Sequence, residues 1–268
     1  MSLEWIQQKS KLKPAITIIY GPSGLGKTTL AVGSKNPVVL QTEDGLGILT
    51  NKREIPHSGL IKTYDEFMDK LRDIYKLDKG TFDTLVIDSL DHLEPLIHAK
   101  TCEVGKQPSI DAFGFGKGYS ESLKYWREFL DAVQRLRNDK GMRIILIAHN
   151  QIKTFHDPLT EPYDRHEMKL YKSASALVLE TCDMCLFLNY KKGTVKVQGA
   201  KGMTSKTVQT NRILVTTENP SCVAKNRYGL PETIEMVEEG DDFIERAEKT
   251  WTNIGKLISA KWVHSTKR

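Results

Sequence analysis

Nine residues constrain this chain more than any others: Gly21, Pro22, Ser23, Gly24, Leu25, Gly26, Lys27, Thr28 and Thr29. A glycine, four free positions and then Gly-Lys-Thr form a phosphate-binding loop when a strand precedes them and a helix follows. Both flanks are present here. Residues 15–20 are apolar and rich in β-branched side chains, as a buried strand requires, and residues 28–32 can open a helix. The three glycines let the backbone curl so that successive N–H groups point at phosphate oxygens, and a helix start adds partial positive charge. At this spacing Lys27 reaches the β- and γ-phosphates and the Thr28 hydroxyl ligates Mg²⁺. The expected ligands are therefore ATP and Mg²⁺. A Gly-rich turn that binds nothing would not need Lys27 and Thr28 in register.

The chain has 268 residues, enough for one large α/β domain with a sizeable core. Charged residues make up 27% and hydrophobic ones 39%, an ordinary balance for a soluble globular protein. No apolar run is long enough to cross a bilayer. The start, Met1-Ser2-Leu3-Glu4-Trp5, lacks the basic and apolar parts of a secretory signal, so a cytoplasmic protein without a membrane role is expected. Four cysteines (Cys102, Cys182, Cys185 and Cys222) fit a reducing compartment better than a disulfide framework. Cys182 and Cys185 form a C-x-x-C without a second pair, which reads as apolar filling ahead of a strand.

Strand-like and helical patterns alternate, which argues for a mostly parallel sheet flanked by helices. Strands are expected at 38–41, 84–88 and 143–148, and helices at 64–77, 90–102, 120–137 and 172–180. Residues 105–118 (Gly-rich) and 153–167 (polar, with Pro158 and Pro162) read as two long loops. Strand-like runs at 186–190, 194–198 and 213–217 suggest a β-hairpin region, and 243–258 a final helix. Lys191, Lys192, Lys196, Lys201, Lys206 and Arg212 fall in a stretch without acids, and Glu232 to Glu245 is strongly acidic. That asymmetry suits either a polyanion-facing surface with a separate acidic tail or two solvated faces.

Asp88 ends the apolar run Thr84-Leu85-Val86-Ile87, where an ATPase places the acid of its Mg²⁺ shell; a helix-capping aspartate would look the same. Ser89 follows, so the acidic neighbour that often serves as the base is missing. Glu43, just past the second strand in Gln41-Thr42-Glu43-Asp44-Gly45, stands where strand ends meet ligands and can orient a water, with Asp44 as its rival. His149-Asn150-Gln151 ends another strand on that edge. Gln151 suits a γ-phosphate sensor, and His149 only lines the site.

Taken together, these segments resemble the RecA-type recombinase core, and most closely the minimal core-only recombinases of phages, the Sak-type single-strand annealing group. The resemblance spans about residues 15–231. It rests on the phosphate loop, Gln41-Thr42-Glu43-Asp44-Gly45, Leu85-Val86-Ile87-Asp88-Ser89, Asn150-Gln151-Ile152 and Lys225-Asn226-Arg227. It implies a RecA-like P-loop fold in three parts: a short extension (1–14), an ATPase core (15–231) and an acidic, helical tail (232–268). It implies catalysis by Lys27, Glu43 and Gln151, with Lys225 and Arg227 reaching the γ-phosphate of a neighbouring subunit in a self-associated ring or filament. It further implies that the two long loops face single-stranded DNA through Lys106, Phe113, Phe115, Lys117, Lys153, Phe155 and Arg165. Aromatics interleaved with cations suit base stacking and phosphate neutralisation, although nucleotide lids or protein contacts would also use them. The implied activity is DNA-stimulated ATP hydrolysis in recombination or annealing, with a single-strand binding protein as a further partner. A hexameric helicase or packaging motor, and a non-catalytic nucleotide-gated accessory protein, are the alternatives.

Overall fold

A computed structural model describes residues 12–199 and 202–265, with side chains left out at 192–209 and 261–265. Lys192, Lys196, Lys201 and Lys206, like the start of the chain, therefore lie outside the described side chains.

The elements run in order as β1 (Ile16–Gly21), α1 (Lys27–Val32), β2 (Pro37–Gln41), α2 (Gly47–Thr50) and β3 (His57–Leu60). There follow α3 (Tyr64–Lys76), β4 (Thr84–Asp88), α4 (Leu90–Gly105), α5 (Lys117–Arg135), β5 (Arg143–Phe155) and β6 (Tyr163–Met168). The last are α6 (Lys172–Thr181), β7 (Met184–Gly199), β8 (Gly202–Val215), β9 (Lys225–Asn226), β10 (Thr233–Glu235) and α7 (Phe243–Ser265). The main sheet has the strand order β10-β8-β7-β1-β5-β4-β2-β3. From β7 to β3 neighbouring strands are parallel, and the β7–β8–β10 edge is antiparallel. The expected architecture, a mostly parallel sheet flanked by helices with a hairpin region toward the C-terminal end, is present.

The central strands alternate between two apolar layers. Ile16, Ile18 and Tyr20 of β1 join Leu85, Ile87, Ile144 and Leu146 in a core that also takes Phe67, Trp126, Phe129 and Val133 from α3 and α5. Ile19, Val86, Ile145 and Ile147 face the other way, onto Leu30 and Ala31 of α1 and Ala247, Trp251 and Ile254 of α7. Burial on both faces explains why these strands read as continuous apolar runs. Helix α3 begins at Thr63, whose hydroxyl accepts from the Glu66 amide at 3.2 Å, while the Glu66 carboxylate accepts from the Lys62 amide at 3.1 Å. Local sequence alone starts this helix.

Two expected loops are ordered differently. Within 105–118, Ile110–Phe113 forms a 3₁₀ turn and α5 begins at Lys117. The Phe113 ring lies against Gly105 and Gly118, where a Cβ would come within 2.4 and 2.9 Å of it. The 153–167 segment is largely a hairpin: β5 continues to Phe155 and pairs antiparallel with β6, Lys153 opposite Arg165 and Phe155 opposite Tyr163. Pro158 and Pro162 fall in its connection, where no ladder amide is required. The strand-like runs 186–190 and 194–198 merge into β7, paired with β8 as one long hairpin.

The C-terminal segment is helical and packs on the core. Strand β10 pairs with β8, and the Trp251 indole N–H donates to the Leu30 carbonyl at 2.6 Å. Its acids neutralise the basic stretch: Arg212 makes two 2.8 Å bonds to Glu238, and Lys191 lies 3.0 Å from Glu235. Of the described basic side chains there, Arg212 and Lys191 are thus paired and do not form an open polyanion surface.

Candidate nucleotide site

Because β1, β2, β4 and β5 are parallel, their carboxyl ends meet on one sheet edge, the ligand-binding edge of open α/β sheets. Gly21 sits beside His149 across the β1–β5 pair, and Gln41 beside Asp88 across β2–β4. Over this edge lies a cleft of about 440 Å³, lined by the phosphate loop with Glu43, Asp88 and His149, and further out by Ile48, Leu49 and Phe243. A volume of that order accommodates a small ligand.

The loop backbone requires glycine, as two of its positions illustrate. Gly21 passes so close to β7 that a Cβ would lie 2.2 Å from the Leu188 carbonyl oxygen, and Gly26 has φ +90°. The Lys27 ammonium donates to the Gly21 and Pro22 carbonyls at 3.0 Å each. Burial lowers its pKa, against Asp88, Asp91 and Glu43, which favour the charged form. Behind the loop, Arg212 of β8 donates to the Leu25 carbonyl at 3.1 Å and is itself held by Glu238.

The Thr28 hydroxyl donates to Asp88 Oδ2 at 2.7 Å. Burial raises the Asp88 pKa and the nearby Glu43 adds to this, while the Thr28 hydrogen bond opposes it. A hydroxyl and a carboxylate in contact form a hard-oxygen pair that fits Mg²⁺, which binds through one or two such groups and the substrate phosphates. Thr28 and Asp88 are the residues that would hold it.

The segment after β2 is laced to the start of α4. The Thr42 and Glu43 amides donate to the Asp88 carbonyl at 2.8 and 3.1 Å, and Thr42 Oγ1 donates to the Ser89 carbonyl at 2.7 Å. The Ser89 hydroxyl lies 3.2 Å from Glu43 Oε2 and 2.9 Å from His92 Nδ1. Asp91, nearly buried, accepts from the His149 amide at 2.9 Å and lies 2.9 Å from its Nδ1. Glu43, His92 and His149 place three potential ligand atoms within 4.8 Å of one another, and Ser89 and Asp91 already bond this cluster.

Not every residue singled out in the sequence reaches this cleft. Gln151 lies two positions beyond His149, and its amide donates to the Met168 and Leu170 carbonyls at 2.8 and 3.4 Å. Asp44 is absent from the lining. Lys225 and Arg227 sit at the other end of the sheet, because β9 pairs with Met184 and Cys185, which pair in turn with Thr17 and Ile18. Lys225 donates to the Leu179 and Glu180 carbonyls at 2.6 and 3.1 Å, and exposed Arg227 lies 3.4 Å from Asp183.

The residues expected to face DNA fall into two groups. Lys106 caps α4, and Phe115 projects fully from the turn before Lys117. On the hairpin, the Arg165 guanidinium stacks 3.8 Å from the Phe155 ring centroid and pairs with Glu167 and Glu218 at 2.8 and 3.3 Å. Lys153 stands on the strand opposite Arg165.

Sequence reasoning missed Asp91, His92 and the apolar outer wall, and it noted Ser89 without giving it a partner in the site. Asp91 carried a usable signal, since an acid three residues past Asp88 in the first helical turn returns to the same side. Phe243 carried none, because it arrives from a segment 200 residues beyond Glu43.

Residues 13–228 match an AAA domain family. The chain belongs to that family. Among solved structures the chain is similar to a crystal structure of the RadB recombinase, with 18% identity and a TM-score of 0.40, over 76% of this chain and 80% of that one. No curated protein matches. Among the described residues no helix is long and apolar enough to cross a membrane.

Proposed function

We propose that this AAA-domain protein hydrolyses ATP in a RecA-like manner and couples hydrolysis to binding of single-stranded DNA, in recombination or single-strand annealing of the phage Sak type. The observation that carries the reading is the meeting of the phosphate loop, the Thr28–Asp88 pair and Glu43 in one cleft. Lys27 leaves the loop carbonyls to contact the β- and γ-phosphates. Thr28 and Asp88 would hold Mg²⁺, which when bound would supply neutralisation of phosphate charge. Glu43, fixed at Oε2 by the Ser89 hydroxyl, accepts a proton from water as the water oxygen attacks the γ-phosphorus and the bond to the β–γ bridging oxygen breaks, releasing ADP and phosphate. Backbone bonds from residues 42 and 43 to Asp88 keep base and metal acid in one frame.

Lys225 and Arg227 cannot serve their own phosphate loop, since Thr17 and Gly21 alone are about 13 Å apart along β1. In a self-associated ring or filament they reach the γ-phosphate of the next subunit, a role that contributes about 10³–10⁵ in rate in related systems. Phe115 and Phe155 offer stacking faces, and Lys106, Lys117 and Lys153 neutralise the DNA backbone.

The test is ATP turnover at fixed protein with and without single-stranded DNA. Stimulation supports the reading. Unwinding of a forked duplex would reassign the protein to the motors, and tight ATP binding with negligible turnover would make it a nucleotide-gated accessory.

A further inference from the structure

Close to the Thr28–Asp88 pair lies a second group of donors, of a different chemical character. Three elements deliver it: the segment after β2 brings Glu43, the first turn of α4 brings Asp91 and His92, and β5 brings His149. Glu43, His92 and His149 place one ligand atom each within 4.8 Å of one another. Glu43 Oε2 lies 3.4 Å from His92 Nδ1 and 3.9 Å from His149 Nδ1. Asp91 Oδ2 lies 3.5 Å from the first of these nitrogens and 2.9 Å from the second. Two ligands of one tetrahedral zinc ion stand about 3.3 Å apart, because its bonds are about 2.0–2.1 Å long. The four separations scatter around that value.

The donors are held from behind. The Ser89 hydroxyl lies 3.2 Å from Glu43 Oε2 and 2.9 Å from His92 Nδ1, so it brings those two atoms toward one point. Asp91 spends Oδ1 on the His149 amide at 2.9 Å, which keeps Oδ2 turned to the rings. Glu43 and His149 line the cleft and His92 is partly exposed, so an ion has a path in. Thr28 and Asp88 offer only oxygen, the preference of Mg²⁺. Two imidazoles with carboxylate suit zinc and its neighbours instead.

We propose that Glu43, His92 and His149, with Asp91 closing the shell, form a binding site for a divalent transition metal ion of the zinc type, and that this ion silences the cleft by holding Glu43. The site is separate from the Thr28–Asp88 pair. A bound dication lowers the basicity of the carboxylate it holds and pins it away from water. Ion binding and the role of Glu43 as base therefore exclude each other. The silencing rests on the ATPase reading given above, whereas the site stands on its donor set alone.

Cobalt(II) gives a visible probe of the site, added to the whole chain without nucleotide but with millimolar Mg²⁺ to occupy Thr28 and Asp88. The wild type should bind one equivalent with the absorption of a four-coordinate nitrogen and oxygen site, and Zn²⁺ should displace it. His92→Ala and Glu43→Gln should each weaken Zn²⁺ binding at least about tenfold, the loss that even an outer-shell change causes. His92 is partly exposed and Glu43→Gln is nearly isosteric, so either variant decides the matter if the other fails to fold. A wild type that binds no cobalt, a thiolate-to-cobalt band that places the ion on cysteines, or unchanged affinity in a folded variant overturns the proposal.

Turnover is read with excess MgATP and single-stranded DNA. Saturating Zn²⁺ should lower wild-type turnover about 10²-fold, the least that loss of a general base costs. A zinc-selective chelator should restore it, and His92→Ala should need at least about tenfold more Zn²⁺ for the same fractional loss. Zinc bound at one equivalent with turnover unchanged overturns the proposal and leaves the ATPase reading standing. A wild type without turnover at any zinc level removes the ATPase reading, while the cobalt titration still decides the site.

Discussion

The phosphate edge and the segments assigned to DNA are built from opposite kinds of information. At the phosphate edge, four short motifs far apart in sequence are brought together by parallel strands whose ends must coincide. Each motif is local, and the topology does the rest. The 105–118 and 153–167 segments owe their shape to contacts that no local pattern records. Phe113 is seated by Gly105 and Gly118, and β5 runs past the cleft because β6 is available to pair with it. Chemistry fixed by backbone geometry is legible early, whereas chemistry carried on paired or packed surface side chains is not.

Glu43→Gln gives the largest expected effect and tests the first half of that contrast. Turnover should fall about 10²–10⁴-fold with ATP binding intact; normal turnover would move the base to another residue. Mixing is the sharper form of the experiment. Arg227→Ala and Glu43→Gln proteins, each slow alone, should regain activity together, because some interfaces then combine an intact base with an intact cation. Absence of recovery would place the whole site within one protomer.

The next effect concerns stability. Trp251 is 8% exposed, and its indole bonds the Leu30 carbonyl behind the phosphate loop. Trp251→Ala should cost about 3–5 kcal/mol in denaturant unfolding. A loss below 1 kcal/mol would mean that the C-terminal helix is an appendage after all.

Smaller changes separate the two groups proposed to face DNA. Phe115→Ala should weaken single-stranded DNA binding by about 1–3 kcal/mol if one base stacks there, without altering ATP turnover measured in the absence of DNA. Arg165→Ala should weaken it less, because that guanidinium already answers Glu167 and Glu218. Equal losses at both positions would contradict the distinction between an unpaired aromatic and a neutralised cation.

The central strands, α3 and the phosphate loop were legible because burial on both faces, a capping pattern and a fixed glycine spacing each leave a local trace. Glu43 and Asp88 could be brought to one edge by topology alone. Asp91 and His149 could not be paired, since their bond depends on how the first turn of α4 meets the end of β5. The acidic segment was visible as composition, but its partners Arg212 and Lys191 were not, because charge counting does not say which face of a hairpin an acid reaches.

The central claim is that the cleft at Gly21 to Thr29 hydrolyses ATP under the control of single-stranded DNA. Steady-state ATP turnover, measured while single-stranded DNA is titrated into protein at fixed concentration with Mg²⁺, tests it most directly. The account predicts a rise that saturates with DNA and disappears in Glu43→Gln. Turnover that stays flat across the titration, in protein shown to bind ATP, would contradict it.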